Sequence, residues 1–367
     1  MSLDEFLEEW NNPSPYVHVQ TSGSTGDPKP MLVEKSRMLA SARRTNDFLG
    51  LRPGDTALLC MSLDFIAGKM MVVRALERGL TLVCVEPSGH PLRHNGDWHQ
   101  CAISDGTMCA CPQCVALNDQ TPLSFAAMVP LQVYNSLQIP EERELLMQIK
   151  HLIIGGGAID DALAAELKSF PNAVWSTYGM TETLSHIALR RLSGPDASDW
   201  YTPFPSVTVS LSDEDTLIIN APEVCPEPLV TNDIAKLSTS HSQLSTLNSQ
   251  LFRILGRRDN TICSGGLKIQ AEQLERQLRP HLSSPFLITK RPDEKFGEIV
   301  VLLTEGSTDD ARLVCERVLP QYHHPRAYVH VAHIPLTATG KPARHEAEKL
   351  AKYNPLLVGE RHDDGVS

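Results

Sequence analysis

Between Thr56 and Val85 the chain reads as a short apolar run (Thr56 to Cys60), a helical stretch from Ile66 to Glu77, and a second short run from Thr81 to Val85. A strand–helix–strand rhythm of this kind constrains the fold more than any other feature. It predicts an α/β domain with a largely parallel sheet. The rhythm returns further on, with a strand over Lys150–Ile154, three glycines (Gly155, Gly156, Gly157), a helix from Asp160 to Phe170 capped by Asp160 or Asp161, and a strand over Ala173–Thr177. Ahead of the first unit, Lys35 to Phe48 has helical spacing and ends at Gly50, a C-terminal cap. A short helix is expected from Val129 to Leu137.

From about Ser206 the pattern changes to short strands: Val207–Leu211, Thr216–Asn220 and Phe252–Leu255, with the Ser/Gln-rich stretch from Thr239 to Gln250 as a hairpin loop. A compact α+β unit follows, with strands over Asn260–Ser264, Phe286–Lys290, Glu298–Leu303 and Ala327–Val331 and helices over Ala271–Leu278 and Asp309–Leu319. The expected organisation is a large domain over 1–256, its β-rich subdomain at about 206–256, a small C-terminal domain over 257–354, and a flexible tail over 355–367.

The 367 residues leave room for two or three domains, and a formal charge of -11 argues against a nucleic-acid partner. No apolar run reaches the ~20 residues of a membrane span. The acidic start, Met1 to Trp10, lacks the basic and apolar regions of a signal peptide. Nine cysteines at irregular spacings, several within apolar runs, suit reduced thiols in a cytoplasm. Cys101, Cys109, Cys111 and Cys114, with His94 and His99 upstream, form either a zinc site or a surface insertion with free thiols; the spacing matches no common zinc module.

Thr21-Ser22-Gly23-Ser24-Thr25-Gly26-Asp27-Pro28-Lys29 lies between two strand-like segments and gathers four hydroxyls, two glycines and a lysine. Glycines let backbone N–H groups approach a ligand, and hydroxyls and a lysine add donors and charge, as a polyphosphate requires. On these residues alone a flexible turn remains the alternative. The nucleoside-triphosphatase P-loop is excluded, because Pro28 separates Gly26 from Lys29.

Further motifs follow in order: Tyr178-Gly179-Met180-Thr181-Glu182; Thr231-Asn232-Asp233; Gly256-Arg257-Arg258-Asp259, then Gly265-Gly266-Leu267-Lys268 and Glu272; and Pro335-x-Thr337-x-x-Gly340-Lys341 with Arg344. Together with the loop they resemble the adenylate-forming, AMP-binding enzymes: acyl- and aryl-CoA synthetases, luciferases and peptide-synthetase adenylation domains. The resemblance implies an ATP-dependent enzyme that adenylates a carboxylate, releases pyrophosphate and passes the acyl group to a thiol. It places the β- and γ-phosphates on Thr21 to Lys29, Mg²⁺ on Glu182, and the α-phosphate beside Thr181. It stacks the adenine on Tyr178, next to Gly179, with Gly156, Gly157 and Ala158 along its other side. Asp233 takes the ribose hydroxyls, Arg257 assists at ribose or phosphate, and Lys341 bridges the α-phosphate and the attacking carboxylate. Asp259 is the implied hinge of a mobile C-terminal domain, and Gly265 and Gly266 line the path of coenzyme A. Singly, Glu182 also fits a helix N-terminal acid, Asp233 a turn residue and Lys341 a solvated lysine.

The chain also departs from the family pattern. Most members carry a further subdomain ahead of the loop, which here begins at Thr21, so an N-terminally shortened fold is expected. The segment Met61 to Gly68 is altered, with Phe65 at the family's gate to the acid pocket. These features, with Tyr178 to Ala188, most resemble the o-succinylbenzoate–CoA ligases of menaquinone biosynthesis. That dicarboxylate needs a polar or cationic holder for its ring carboxylate. Lys69 and Arg74, on the otherwise apolar helix Ile66–Leu76, are candidates, with Arg74 ahead for its planar fork. The alternative has both side chains snorkelling to solvent. Gly155, Ser185 and His186 complete the acid-pocket set. Expected partners are a small carboxylic acid, ATP and CoA, and a homodimer is compatible with the sequence. Rival readings are another acyl- or aryl-CoA ligase, a carrier-loading adenylation enzyme, or a nucleotide-binding protein without turnover.

Overall fold

A computed structural model describes residues 1–20, 30–93, 99–104, 107–108, 122–238, 250–337 and 341–353, with the backbone alone at 99–104, 107–108 and 353. The loop from Thr21 to Lys29, the cysteines Cys109, Cys111 and Cys114, the stretch 239–249, residues 338–340 and the C-terminal tail lie outside the described residues. Two compact units divide the chain. The first comprises Met1–Ser210, Ile218–Leu229 and Leu237–Arg253; the second comprises Leu211–Leu217, Val230–Lys236 and Ile254–Ser367.

The first unit opens with α1 (Leu3–Asn11) and an antiparallel pair, β1 (Tyr16–Gln20) and β2 (Pro30–Glu34). Then come α2 (Lys35–Leu49), β3 (Thr56–Leu59), α3 (Ile66–Arg78), β4 (Thr81–Cys84), β5 (His99–Ser104), β6 (Thr107–Met108), β7 (Phe125–Met128), α4 (Pro130–Leu137), α5 (Pro140–Gln148), β8 (His151–Ile154), α6 (Asp161–Leu167), β9 (Ala173–Met180), β10 (Ser185–Arg191) and β11 (Thr202–Pro203). Among the described residues these strands build a nine-stranded sheet in the order β11-β10-β9-β8-β7-β3-β4-β5-β6. The run β9-β8-β7-β3-β4 is parallel throughout, as the βαβ rhythm requires, and β10 and β5 flank it antiparallel. One face carries Leu58, Ala126, Leu152 and Val174 against Val133, Leu146, Leu163 and Leu167 of α4, α5 and α6. Central strands covered by helices read as unbroken apolar runs, and Phe125-Ala126-Ala127-Met128 is buried at every position.

Helix ends follow the chemistry of their caps. Gly50 adopts φ 63° and closes α2, and the Asp160 side chain accepts a hydrogen bond from Leu163 N at 2.8 Å to open α6. A four-stranded sheet follows, β12 (Thr208–Leu211), β13 (Thr216–Asn220), β14 (Leu229–Leu237) and β15 (Phe252–Arg257), in that order.

The second unit continues with β16 (Thr261–Ser264), β17 (Leu267–Gln270), α7 (Ala271–Leu278), β18 (Phe286–Asp293), β19 (Gly297–Thr304), α8 (Thr308–Val318), β20 (Ala327–His330) and α9 (Arg344–Tyr353). On β19 the side chains alternate between two cores. Val300 and Leu302 meet Leu274, Leu278 and Cys315, while Ile299, Val301 and Leu303 meet Ala347 and Ala351. α9 is anchored at its first residue: Arg344 donates to both Glu275 carboxylate oxygens at 3.1 and 2.8 Å and to Ile288 O at 2.9 Å. Ile288 N completes the carboxylate's bonding at 2.9 Å.

Removing the Glu275 carboxylate leaves a largely buried guanidinium with only Ile288 O and the more distant Glu272 carboxylate, 3.8 Å away. Glu275→Ala is therefore expected to cost about 3 kcal/mol, read as a lower urea midpoint for the unfolding of this unit. An unchanged midpoint would show that the pair does not anchor α9.

Candidate active site

The carboxyl ends of β8 and β9 carry the nucleotide-side candidates of the first unit. Beyond Ile154 the chain turns through Gly155, Gly156 and Gly157, and Gly156 adopts φ 78°. A Cβ on Gly155 would stand 2.3 Å from Thr177 Oγ1, so glycine is required there by the neighbouring strand. Tyr178 is partly buried near the end of β9, with Phe252 edge-on at 5.1 Å and Tyr201 at 5.7 Å. Tyr201 is fixed in turn by Ser176, whose Oγ lies 2.9 Å from its hydroxyl. At Gly179 a Cβ would sit 2.1 Å from Ser185 O, so β10 returns against a strand that bears no side chain at that point.

β9 and β10 are joined by a 3₁₀ turn, Thr181–Thr183, on which Thr181 is buried and Glu182 is exposed. Thr183 Oγ1 stands 3.0 Å from Met180 N and 2.7 Å from Ser185 O and ties the turn together. Immediately after it, Leu184 (φ 53°) and Ser185 (φ 103°) occupy conformations that L side chains resist. Strain of about 1–3 kcal/mol per residue persists only where the surroundings over-determine it. Part of that support comes from α2, where Ser41 Oγ donates to Leu184 O at 2.9 Å.

Below this turn lies a buried polar cluster. Arg74, 1% exposed on α3, donates from Nη2 to Ser185 Oγ at 3.0 Å and from Nη1 to Met71 Sδ at 3.8 Å, and its Nε meets no acceptor. Among the described residues no carboxylate forms an ion pair with it. Burial accordingly pushes its guanidinium down to about 9. His186 sits beside it, with Nδ1 3.2 Å from Ser185 Oγ and Nε2 3.0 Å from Thr45 Oγ1. Burial first, and the Arg74 charge second, hold this imidazole well below its ordinary value.

Lys69 is buried as well, but in another layer. Positions five apart on a helix point roughly 140° from one another. Lys69 Nζ donates to His18 O on β1 at 2.9 Å, lies 3.9 Å from Glu9 Oε2 on α1, and sits over the Phe6 ring at 5.3 Å. Neither Lys69 nor Arg74 snorkels to solvent. Only Arg74 joins Ser185 and His186, while Lys69 ties α1 and β1 to α3. Phe65 is the partly buried residue that precedes α3. Gly68 lets α3 approach Ser62, whose carbonyl oxygen would lie 2.3 Å from a Cβ at this position.

The second unit brings together the ribose- and phosphate-side candidates. Asp233 on β14 lies 3.9 Å from Arg257 Nη1, and Arg257 Nη2 donates to Asp259 at 3.2 Å. Asn232 also donates to Asp259 at 3.2 Å, and Arg258 to Asn232 Oδ1 at 3.0 Å. Gly256 leaves room for Gln270, which donates to Arg257 O at 2.6 Å and to Glu272 at 2.9 Å. Lys341 is held through its backbone, accepting from Thr337 N at 2.7 Å and donating to Thr337 Oγ1 at 3.1 Å. Burial and the Arg257 cation both lower its ammonium below the usual lysine range. Gly265 and Gly266, with φ 57° and 85°, form the exposed two-residue tip of the β16–β17 hairpin. Their conformation requires glycine whatever passes beside them.

Thr45, Tyr201 and Phe252 were not predicted from the sequence. Ser41 and Thr45 stand i, i+4 on α2, a spacing that puts two hydroxyls on one helical face. The aromatic neighbours of Tyr178 come from distant segments and leave no local signal. Among the described residues no group of side chains forms a metal cluster and the cysteines are unpaired thiols. His99 and Cys101 lie on β5, where only the backbone is described. No helix among the described residues is long and apolar enough to cross a membrane.

The profile of a family described as "AMP-binding enzyme" matches residues 5–227. A 2-succinylbenzoate–CoA ligase from Listeria monocytogenes serotype 4b is 24% identical over 359 residues, covering 94% of this chain and 72% of that protein. Among solved structures, an acyl-CoA synthetase (AMP-forming)/AMP-acid ligase II-like protein from Dyadobacter fermentans is similar at TM-score 0.58 and 28% identity, covering 94% of this chain and 92% of that one. The o-succinylbenzoate–CoA synthetase of Bacillus subtilis in complex with ATP and magnesium ion has the same fold, at TM-score 0.68 and 20% identity, with 90% and 69% covered. With more than half its length matched and the α/β fold in common, the chain belongs to the AMP-binding enzyme family.

Proposed function

We propose that the protein is an ATP-dependent acid–CoA ligase whose acid is a dicarboxylate, o-succinylbenzoate being the best fit. One observation carries the choice of acid: Arg74 is a buried guanidinium with a serine and a thioether as its hydrogen-bond partners and no carboxylate beside it among the described residues. A desolvated charge of this kind is costly until an anion meets it. The name of the Listeria relative and its 24% identity support the same acid.

Negative charge gathers at the α-phosphate when an anionic carboxylate attacks it, so positioning and fixed positive charge do most of the work. Tyr178, braced by Phe252 and Tyr201, offers its ring to the adenine. Asp233 accepts from the ribose hydroxyls. Lys341, whose charge is already disfavoured by burial and by Arg257, is relieved by an anion and donates to the α-phosphate and the attacking carboxylate. The exposed Glu182 carboxylate, on a turn held by Thr183, is an oxygen donor of the kind Mg²⁺ takes, and that ion would neutralise phosphate charge. The carboxylate oxygen bonds to phosphorus as pyrophosphate leaves; the CoA thiolate then bonds to the acyl carbon as AMP leaves. The family resemblance implies a C-terminal domain over 257–354 that turns about Asp259, which would withdraw Lys341 and present the Gly265–Gly266 hairpin to the pantetheine arm.

Pyrophosphate release with ATP, Mg²⁺ and o-succinylbenzoate tests the reaction directly; nucleotide binding without release would contradict it. Release supported instead by other acids, or acyl transfer to a holo-carrier protein in place of CoA, would correct the substrate. Lys341→Ala should lower pyrophosphate exchange by about a hundredfold or more while supplied acyl-adenylate is still converted to thioester. Equal loss of both half-reactions would remove Lys341 from the role. Arg74→Ala should raise the KM for o-succinylbenzoate by about tenfold or more and leave that for ATP unchanged. An unchanged acid KM would sink the carboxylate assignment.

A further inference from the structure

The polar cluster beneath the β9–β10 turn has a single consistent arrangement of its hydrogens. Arg74 Nη2 lies 3.0 Å from Ser185 Oγ, which lies 3.2 Å from His186 Nδ1. His186 Nε2 lies 3.0 Å from Thr45 Oγ1, which lies 3.2 Å from Ser41 O. The two ends of this chain of contacts decide everything between them. A guanidinium only donates and a backbone carbonyl only accepts. Ser185 Oγ therefore accepts from Arg74 and has its own hydrogen left for His186 Nδ1. Thr45 gives its hydrogen to Ser41 O and keeps a lone pair for a proton on His186 Nε2. The imidazole completes the chain as the neutral ring protonated on Nε2. If the proton moved to Nδ1, the ring and Arg74 would both donate to Ser185 Oγ, and the serine hydrogen would meet no acceptor among the described residues. Thr45 would also have to abandon Ser41 O.

The threonine and imidazole end of the chain is closed to water, while Ser185 is partly buried. Thr45 is 0% exposed and His186 5%, with the Phe204 ring 5.6 Å from the imidazole. Ser185 holds its place in the chain at φ 103°, a backbone conformation that serine does not adopt without outside support. A polar chain in which each hydroxyl and each ring nitrogen has its partner fixes the orientation of those groups.

We propose that Thr45 and His186 are positioning residues for the acid substrate: acting through Ser185, they fix the direction in which Arg74 presents its guanidinium to the substrate carboxylate. In this role neither needs to touch the substrate. The inference rests on the reading that Arg74 takes that carboxylate, and it adds the residues that set the donor geometry and hence the preference for a carboxylate at that point.

Thr45→Val exchanges the hydroxyl for a methyl at nearly constant volume. It should raise the KM for o-succinylbenzoate by about tenfold, with the KM for ATP within about twofold of the parent, and Thr45→Ser should restore the acid KM. A purely structural role would move both constants together with thermal stability. The ¹⁵N shifts of the imidazole, assigned by comparison with His186→Gln, give an independent readout. The parent should show a protonated Nε2 and an unprotonated Nδ1, and Thr45→Val should disturb that pattern. A proton found on Nδ1 in the parent, or equal rises in both Michaelis constants in Thr45→Val, overturns the proposal. An acid KM indifferent to Arg74→Ala overturns instead the carboxylate reading beneath it, and the ¹⁵N spectrum still decides the hydrogen-bond chain.

Discussion

A positive charge sealed inside the first unit is the constraint on which the site depends. Arg74 sits among buried apolar side chains of α3, and among the described residues no carboxylate cancels its charge. Folding tolerates such a group only where something else outweighs its desolvation. Here α3 buries Met70, Met71, Val72 and Val73 fully, and Gly68 admits close contact with Ser62. The strained pair Leu184–Ser185 delivers a single hydroxyl to it. Strain, burial and an unbalanced charge meet within one turn of Glu182. Folds accept such combinations where binding energy repays them, and an anionic ligand would do so here.

The rest of the first unit serves to bring the right ends of the right strands to that place. In open parallel sheets ligands bind beyond the carboxyl ends of the strands. The glycines after β8 and the Tyr178–Glu182 segment that ends β9 occupy such positions. Two of these glycines are there for space rather than freedom. Thr177 fills the room a Cβ would need at Gly155, and Ser185 fills it at Gly179. In the second unit, Arg344 and Glu275 fix the start of α9, and backbone bonds to Thr337 hold Lys341 three residues before it. Lys341 and Arg74 are thus alike: each is a cation made less comfortable by its own surroundings.

The parallel core was legible because each βαβ unit is local in sequence. The Ile66 start of α3, the Gly50 cap and the Asp160 cap stood where their residue types implied. Elements that depend on distant partners were not read. β10 and β14 are mixed in polarity and gain their strand character from neighbours; β7 is too short to show a period. α1, α5 and α9 are short, heavily charged segments for which no helix was expected. The acid-pocket candidates were legible as residue types but not as partners. Spacing on α3 could say that Lys69 and Arg74 face different ways. It could not say that Lys69 would meet His18 and Glu9, or that Arg74 would meet Ser185.

The central claim is that Arg74 is held in wait for a substrate carboxylate. Calorimetric binding of o-succinylbenzoate and of its analogue lacking the ring carboxylate, to the parent protein and to Arg74→Met, tests this most directly. Removing the ring carboxylate should weaken binding about tenfold or more in the parent and scarcely at all in Arg74→Met, because the two groups act as a pair. Equal losses in both proteins would contradict the account.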